Sequence, residues 1–353
     1  MITNIVKCLT RSDRFSLRSF FSLVSGCVGM LFLFYMSRVY WKVNWYSDPD
    51  FSLGYLLRSV IIAGSSFLII LSFQSKSAGN PTKFCLINRP WIWTGYIISM
   101  LSFLIFFIIP DYARIIGEED GIIEWASFFV LVACMVLLFR VLISTRALSG
   151  LGPVAILSVI LFGFLIFFML MEEISWGQRI LGLTSPAIFE SNSQQEINIH
   201  NFITTEADTA YYTGLCFLFV FLPYFKMNHP DLFSGKFWEL FVPGPHLIIL
   251  GALPFAFHFN KWNLLFTQIW FFSSLAVLLT SGLGKRTGNG RHHFLLTALL
   301  LMIIQVGILC FKDSIPVVES GRIAEYKELL SQIGLLVYTT DIHNSLLKRN
   351  KNK

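Results

Sequence analysis

Three short stretches hold side chains able to do chemistry: EDGIIEW (119–125), EEISWGQR (172–179) and QEINIHN (195–201). In the second, two adjacent carboxylates, Glu172 and Glu173, follow directly on the apolar run Val154–Leu170. An acid at membrane depth costs a few kcal/mol unless it is paired or hydrated, and the C-terminal end of a helix opposes negative charge. Neighbouring helical residues point about 100° apart, so the two acids must face different surroundings. Continuing the helix to residue 180 places Glu172, Ser175, Trp176 and Arg179 on one face. Glu172 then pairs with Arg179, and Glu173 is the acid left for chemistry.

In the third stretch Glu196 and His200 stand four apart. On a helix such a pair shares a face and can share a divalent metal. On an extended segment Glu196, Asn198 and His200 alternate onto one side. Glu124 lies one turn inside its helix if that helix begins at Gly121. The catalytic candidates are therefore Glu124, Glu173 and His200, with a carboxylate as general base and His200 as proton shuttle. Glu173, Glu196 and His200 form the metal-ligand set, and a divalent metal is the cofactor these residues would take. Trp176, Gln178, Arg179 and Asn201 are the substrate-binding candidates, with Arg179 suited to a bidentate grip on phosphate or carboxylate. The neighbouring acids Glu118, Glu119, Asp120, Glu190, Glu206 and Asp208 read as ordinary decoration of a loop surface, and His258 as an interfacial polar cap among aromatics.

The chain that must position them has 353 residues and is 55% hydrophobic, 16% aromatic and only 14% charged, with 36 Phe. Soluble domains carry about 25% charged residues. Apolar stretches of about 18 residues or more recur, each long enough for a hydrocarbon core of roughly 30 Å. In lipid, backbone polar groups must be satisfied within each segment, so the spans are helices. The fold class is all-α, a polytopic transmembrane bundle of about nine spans: 19–41, 53–74, 91–110, 122–144, 152–172, 209–227, 240–257, 264–283 and 294–311. Residues 317–349 have apolar positions at helical spacing but only a short continuous apolar core. They form an amphipathic helix lying on the membrane, or a tenth span. A polar linker, SKSAGNPTK, closes a two-helix hairpin at 1–83. A seven-helix core follows at 84–312, then the C-terminal helix and basic tail at 313–353.

Basic residues orient the bundle. The N-terminus and alternate loops carry 14 Lys and Arg, from Lys7 to Arg291, against six (Arg38, Lys42, Arg58, Arg114, Arg179, Lys261) in the loops between. This places the N-terminus in the cytoplasm and all three motifs outside, in the bacterial cytoplasmic (inner) membrane. A ninth span would leave the basic tail, KRNKNK, on the outer side against that rule; a tenth would return it. The net charge of +6 then reflects membrane anchoring, with lipids as partners and no nucleic acid. The six Cys are dispersed and form neither a disulfide framework nor a metal knuckle. Only about seven residues join the spans at 122–144 and 152–172, which makes them antiparallel neighbours. Glu124 and Glu173 then sit at matching depth, with the 191–202 loop folded back and His200 reaching between them.

The three motifs, in this order and spacing, resemble an uncharacterised group of bacterial polytopic membrane proteins over residues 100–210. The resemblance marks Glu124, Glu173, Trp176, Gln178, Arg179, His200 and Asn201 as signature positions and implies no activity. Known intramembrane chemistries are not matched: the chain has neither the Ser-x3-His and His-x3-His spacings of alkaline-ceramidase-type hydrolases nor a His-Glu-x-x-His zinc helix. The functional expectation is a hydrolase or transferase acting on a lipid or lipid-linked substrate at the outer face. The alternatives are a transporter or channel with an acidic vestibule, for which LFVPGPHL (240–247) is the candidate broken helix, and a non-catalytic assembly or sensor subunit.

Overall fold

The computed structural model describes residues 17–39, 52–74, 90–118, 121–144, 151–189, 196–259, 261–284, 290–311, 314–315 and 322–349. Regular structure among them is helical throughout, and eight helices are long and apolar enough to cross a membrane. The chain is a multi-pass membrane protein. Its helices are α1 (Leu17–Val39), α2 (Leu53–Ser72), α3 (Pro90–Ile108), α4 (Ile122–Leu142), α5 (Pro153–Glu173), α6 (Thr204–Asn228), α7 (His246–Ala256), α8 (Leu265–Leu283), α9 (Arg291–Cys310) and α10 (Ile323–Arg349). Prolines sit at the first turn of α3 and α5, where their missing N–H has no helical partner to lose. Ser52 caps α2 by accepting a hydrogen bond from the Tyr55 amide at 3.3 Å.

The first two helices pack on each other, and α2 also lies along α8. Arg58 of α2, buried, donates to Asn263 Oδ1 at 3.0 Å and so ties the hairpin to the loop before α8. As the short joint requires, α4 and α5 are neighbours. α6 contains a π-helical turn, Cys216–Phe221, against which α7 packs.

One expected span, 240–257, is not a continuous helix. A short helix, Lys236–Phe241, ends at Val242, whose backbone is extended (φ −87°, ψ 117°), and α7 begins only after Pro245. Proline disfavours helical geometry in the residue before it, and VPGP supplies two prolines in four positions. The 11 residues of α7 reach about 17 Å, roughly half a hydrocarbon core. They are nonetheless buried from His246 to Ala256.

The C-terminal helix settles the choice left open by its sequence. α10 is 27 residues long and lies inside the bundle against α3, α4 and α7, with Tyr326, Lys327, Leu330, Gln332, Leu335, Tyr338, Thr339 and Ile342 buried. It does not lie on the surface. Near its start, Tyr326 donates to Ala113 O at 2.7 Å and Gln332 meets Glu173. Farther along, Tyr338 donates to Phe241 O at 2.8 Å, and Asp341 Oδ2 lies 2.7 Å from His246 Nε2. The helix thus ends beside the start of α7, away from the Glu173 end; residues 350–353 fall outside the described residues.

Gly251 marks the tightest contact between α7 and α6: a Cβ there would stand 2.4 Å from Phe219 Cβ, in the π turn. Gly251→Ala should therefore lower the melting temperature in detergent, by about 1–3 kcal/mol of overpacking. Gly214→Ala, which meets open space on the same helix as Phe219, should leave it unchanged. Equal melting of the two variants would show that this contact is not a tight one.

Candidate functional site

Two polar assemblies meet at the end of α5, and the adjacent acids divide them. Glu172 turns toward the loop that returns from residue 196. Its Oε1 accepts Trp176 Nε1–H at 2.6 Å and the Ile199 amide at 3.3 Å; its Oε2 accepts the His200 amide at 3.0 Å and lies 2.7 Å from His200 Nδ1. The helix does not continue to residue 180. It stops at Glu173, and Ser175 and Trp176 both take positive φ (47° and 54°), ahead of Gly177 at φ 84°. Left-handed backbone at two consecutive non-glycine residues is held only where its surroundings over-determine it. Here the determinants are visible. Ser175 Oγ donates to Glu196 Oε2 at 2.9 Å, Asn198 Nδ2 donates to both at 3.2 and 3.0 Å, and Trp176 is drawn back onto Glu172.

Gln178 fastens the same loop from the other side, donating to Ser185 Oγ at 2.8 Å and accepting the Ile197 amide at 2.8 Å. Asn201 is buried beside it in a short 3-10 turn, His200–Phe202. The structure therefore brings Trp176, Gln178, Glu196, His200 and Asn201 into one knot around Glu172. The Arg179 side chain, expected to pair with Glu172, lies outside the described residues, as do residues 119–120 and Glu190. Glu172 is met by an indole, an imidazole and two backbone amides.

Glu173 goes elsewhere. Its Oε1 accepts Gln332 Nε2–H from α10 at 2.5 Å, and the carboxylate lies within electrostatic reach of Glu328 and Glu124. Glu325 belongs to the same group and feels Glu328, Glu124, Glu173 and the Arg322 cation. Glu124 and Glu173 thus share a depth and a neighbourhood, as the antiparallel pairing of α4 and α5 implies. His200 does not reach between them, because Glu172 holds its ring. The proposed metal set fails for the same reason. Glu173 turns to Gln332, Glu196 to Ser175 and Asn198, and His200 to Glu172; among the described residues no group of three His, Cys, Asp or Glu is placed to hold a metal ion.

Beyond the acids, Lys327 is buried with its Nζ 3.9 Å from the centroid of the Tyr212 ring, a cation–π contact. Asp208 is no surface decoration: it is partly buried and ion-paired with Lys261. Glu118, by contrast, pairs with Arg114 at 2.6 Å in a half-exposed i, i+4 bridge. His258 sits among aromatics as expected, but fully inside, stacked on Phe255 and edge-on to Tyr212, with its backbone held by Gln305. Burial, then the Lys327 and Lys261 charges, hold its imidazole well below the ordinary range, so it is neutral. The sequence reading missed the α10 residues altogether. Their signal is in the sequence: Glu325, Glu328 and Gln332 recur at i, i+3 and i+7 on one helical face.

His200 is raised above the ordinary imidazole value of 6.5: burial works against its charged form, but the Glu172 hydrogen bond and charge outweigh it, with Glu328 and Asp208 adding. A folded-state value above the unfolded one contributes stability that is complete below about 6.5 and lost as pH rises through the raised value. The melting temperature of the wild type should therefore fall across that window, and Glu172→Gln should abolish that portion of the pH dependence. A pH profile unaltered by Glu172→Gln would show that the pair is not coupled to folding. No family model, curated protein or solved structure matches the chain, so what the site does has to come from its own chemistry.

Proposed function

We propose that this protein is an integral membrane enzyme of the bacterial inner membrane that acts by general acid–base catalysis, as a hydrolase or transferase, on a lipid or lipid-linked substrate at the extracytoplasmic face. The observation that carries this is the Glu172–His200 contact at 2.7 Å. A carboxylate on Nδ1 fixes the tautomer and ring orientation of a histidine and leaves Nε2 to take up or return a proton. His200 keeps a side-chain exposure of 38%. The apolar side chains flanking it in the chain, Ile199, Phe202 and Ile203, are exposed, as are Leu181 and Ile188 of the segment after α5. At a membrane surface such a rim accepts acyl or prenyl chains, which supports a lipid substrate over a soluble one.

Roles follow from the contacts. His200 is the general base and then acid; Glu172 positions it; Trp176, Gln178, Glu196 and Asn201 shape the loop. Arg179 is the residue suited to a phosphate on the substrate. This moves the base from Glu173, the sequence candidate, to His200. The Glu173 cluster stands beneath the dyad, one residue away in the chain.

Two outcomes test the reading. Purified protein incubated with an envelope lipid extract should consume or convert a species visible by mass spectrometry. His200→Gln should slow that conversion by about 10²–10⁴-fold and Glu172→Gln by a comparable amount. Lipid profiles that stay identical with wild type, His200→Gln and no protein would sink the enzyme reading. For orientation, a single Cys at position 193 of an otherwise Cys-free chain should react with an impermeant reagent in intact cells, whereas one at position 288 should not. The opposite labelling pattern would invert the topology.

A further inference from the structure

We infer that residues 180–189, with the return segment 199–203, form a lip that dips into the lipid headgroup layer at the Glu173 end of the bundle. The partner of this part of the chain is the bilayer surface itself. The inference concerns where the segment lies and holds whether or not His200 is catalytic.

The segment reads ILGLTSPAIF, without one Asp, Glu, Lys, Arg or His. It begins shortly after Glu173, the end of α5. α5 has 21 residues, a length of about 31 Å, so the hydrocarbon thickness is spanned before the segment starts. A connection in water at that point would turn polar side chains outward. Here Ile180, Leu181, Leu183 and Ile188 are exposed instead, Leu181 at 69% and Ile188 at 71%. Side chains on the membrane-crossing helices reach the same values: Phe164 of α5 is 66% exposed and Ile122 of α4 71%.

Hydrogen bonds hold the lip in shape. Gly182 takes a left-handed backbone (φ 63°) that ends the short helix Gln178–Leu181, and the Leu183 amide donates back to Gln178 O at 3.0 Å. Gln178 Nε2 donates to Ser185 Oγ, while its Oε1 accepts the Ile197 amide, so one side chain pins both segments. The rings of Phe189 and Phe202, 5.5 Å apart, join them again. Ser175, Gln178, Glu196 and Asn198 thus spend their hydrogen bonds within the loop, and its apolar side chains are left outside. That division suits an interfacial element with an apolar face toward the acyl chains.

The level fits. α4 and α5 are neighbours of 21 residues each that run in opposite directions, so the start of α4 lies level with the end of α5. Trp125, exposed in the first turn of α4, marks a headgroup layer there. A protein partner is the other occupant that an apolar patch can have. The centres of protein interfaces are rich in Trp, Tyr and Arg, and residues 180–189 contain none of the three. They also follow directly on a helix whose Phe164, Leu165 and Phe167 are exposed along a membrane span. Lipid is the occupant continuous with that face.

The test uses the full chain in phosphatidylcholine–phosphatidylglycerol vesicles. The buried Cys134 and Cys216 stay in place and the other cysteines become serine. One new cysteine, from Leu181→Cys, Ile188→Cys or Phe164→Cys, carries a fluorophore; all three side chains are exposed, so the label leaves the core intact. A nitroxide on the lipid headgroup should quench the label at 181 and at 188 about twofold or more as strongly as a nitroxide near the acyl terminus. The order should reverse at 164, midway along α5. His200→Gln should leave these ratios unchanged, so failure of the catalytic reading and failure of the lip are distinguishable. Quenching at 181 and 188 no stronger from the headgroup than from the acyl terminus would overturn the inference. Aqueous iodide then identifies the occupant: strong quenching marks water, and protection marks a protein.

Discussion

The structure depends on keeping a polar helix inside an apolar bundle. α10 brings Glu325, Lys327, Glu328, Gln332, Asp341 and His343 into an interior where each lone charge is costly. It can stay there because the helices around it supply partners at matching heights: Glu173 for Gln332, the Tyr212 ring for Lys327, Phe241 O for Tyr338 and His246 for Asp341. Those requirements in turn shape the neighbours. α7 is short and broken at its start, and the break frees Phe241 O from its helical role to receive Tyr338. The π turn in α6 comes where α7 presents Gly251 to Phe219, so the irregular elements gather around the one helix that is itself irregular in composition.

What could be seen in the sequence follows the same division. Eight lipid-crossing helices were legible to within a few residues, because a long apolar run at membrane length has one stable conformation. The polar helix α10 was not, because hydropathy averages over faces. In EYKELLSQIGLLVYTTDIH the polar residues dilute the apolar signal below that of a span, although the helix is more deeply enclosed than α1 or α5. Burial in a bundle is decided by neighbours, and a neighbour such as Glu173, 159 residues away from Gln332, leaves no local mark.

The site shows the same limit on a smaller scale. Residue types and spacing drew attention to Glu124, Glu172, Glu173, Glu196 and His200, and these do collect at one end of the molecule. Partner choice was beyond them. The expected helix up to residue 180 does not form: the chain bends at Ser175 and Trp176 into backbone that these residue types rarely adopt. Only the hydrogen bonds from a loop more than 20 residues downstream make that bend favourable. The expected metal-ligand convergence fails at the same point, since Glu196 turns to Ser175 and Asn198 while His200 turns to Glu172.

Two adjacent carboxylates with unlike partners explain why the end of α5 is built as it is. Glu172 is held by four hydrogen bonds, from the Trp176 indole, the His200 ring and the amides of Ile199 and His200. Glu173 meets the Gln332 amide from α10, with further acids in its neighbourhood. The roughly 100° step between consecutive helical residues turns one acid of a single helix end toward the returning loop and the other toward α10.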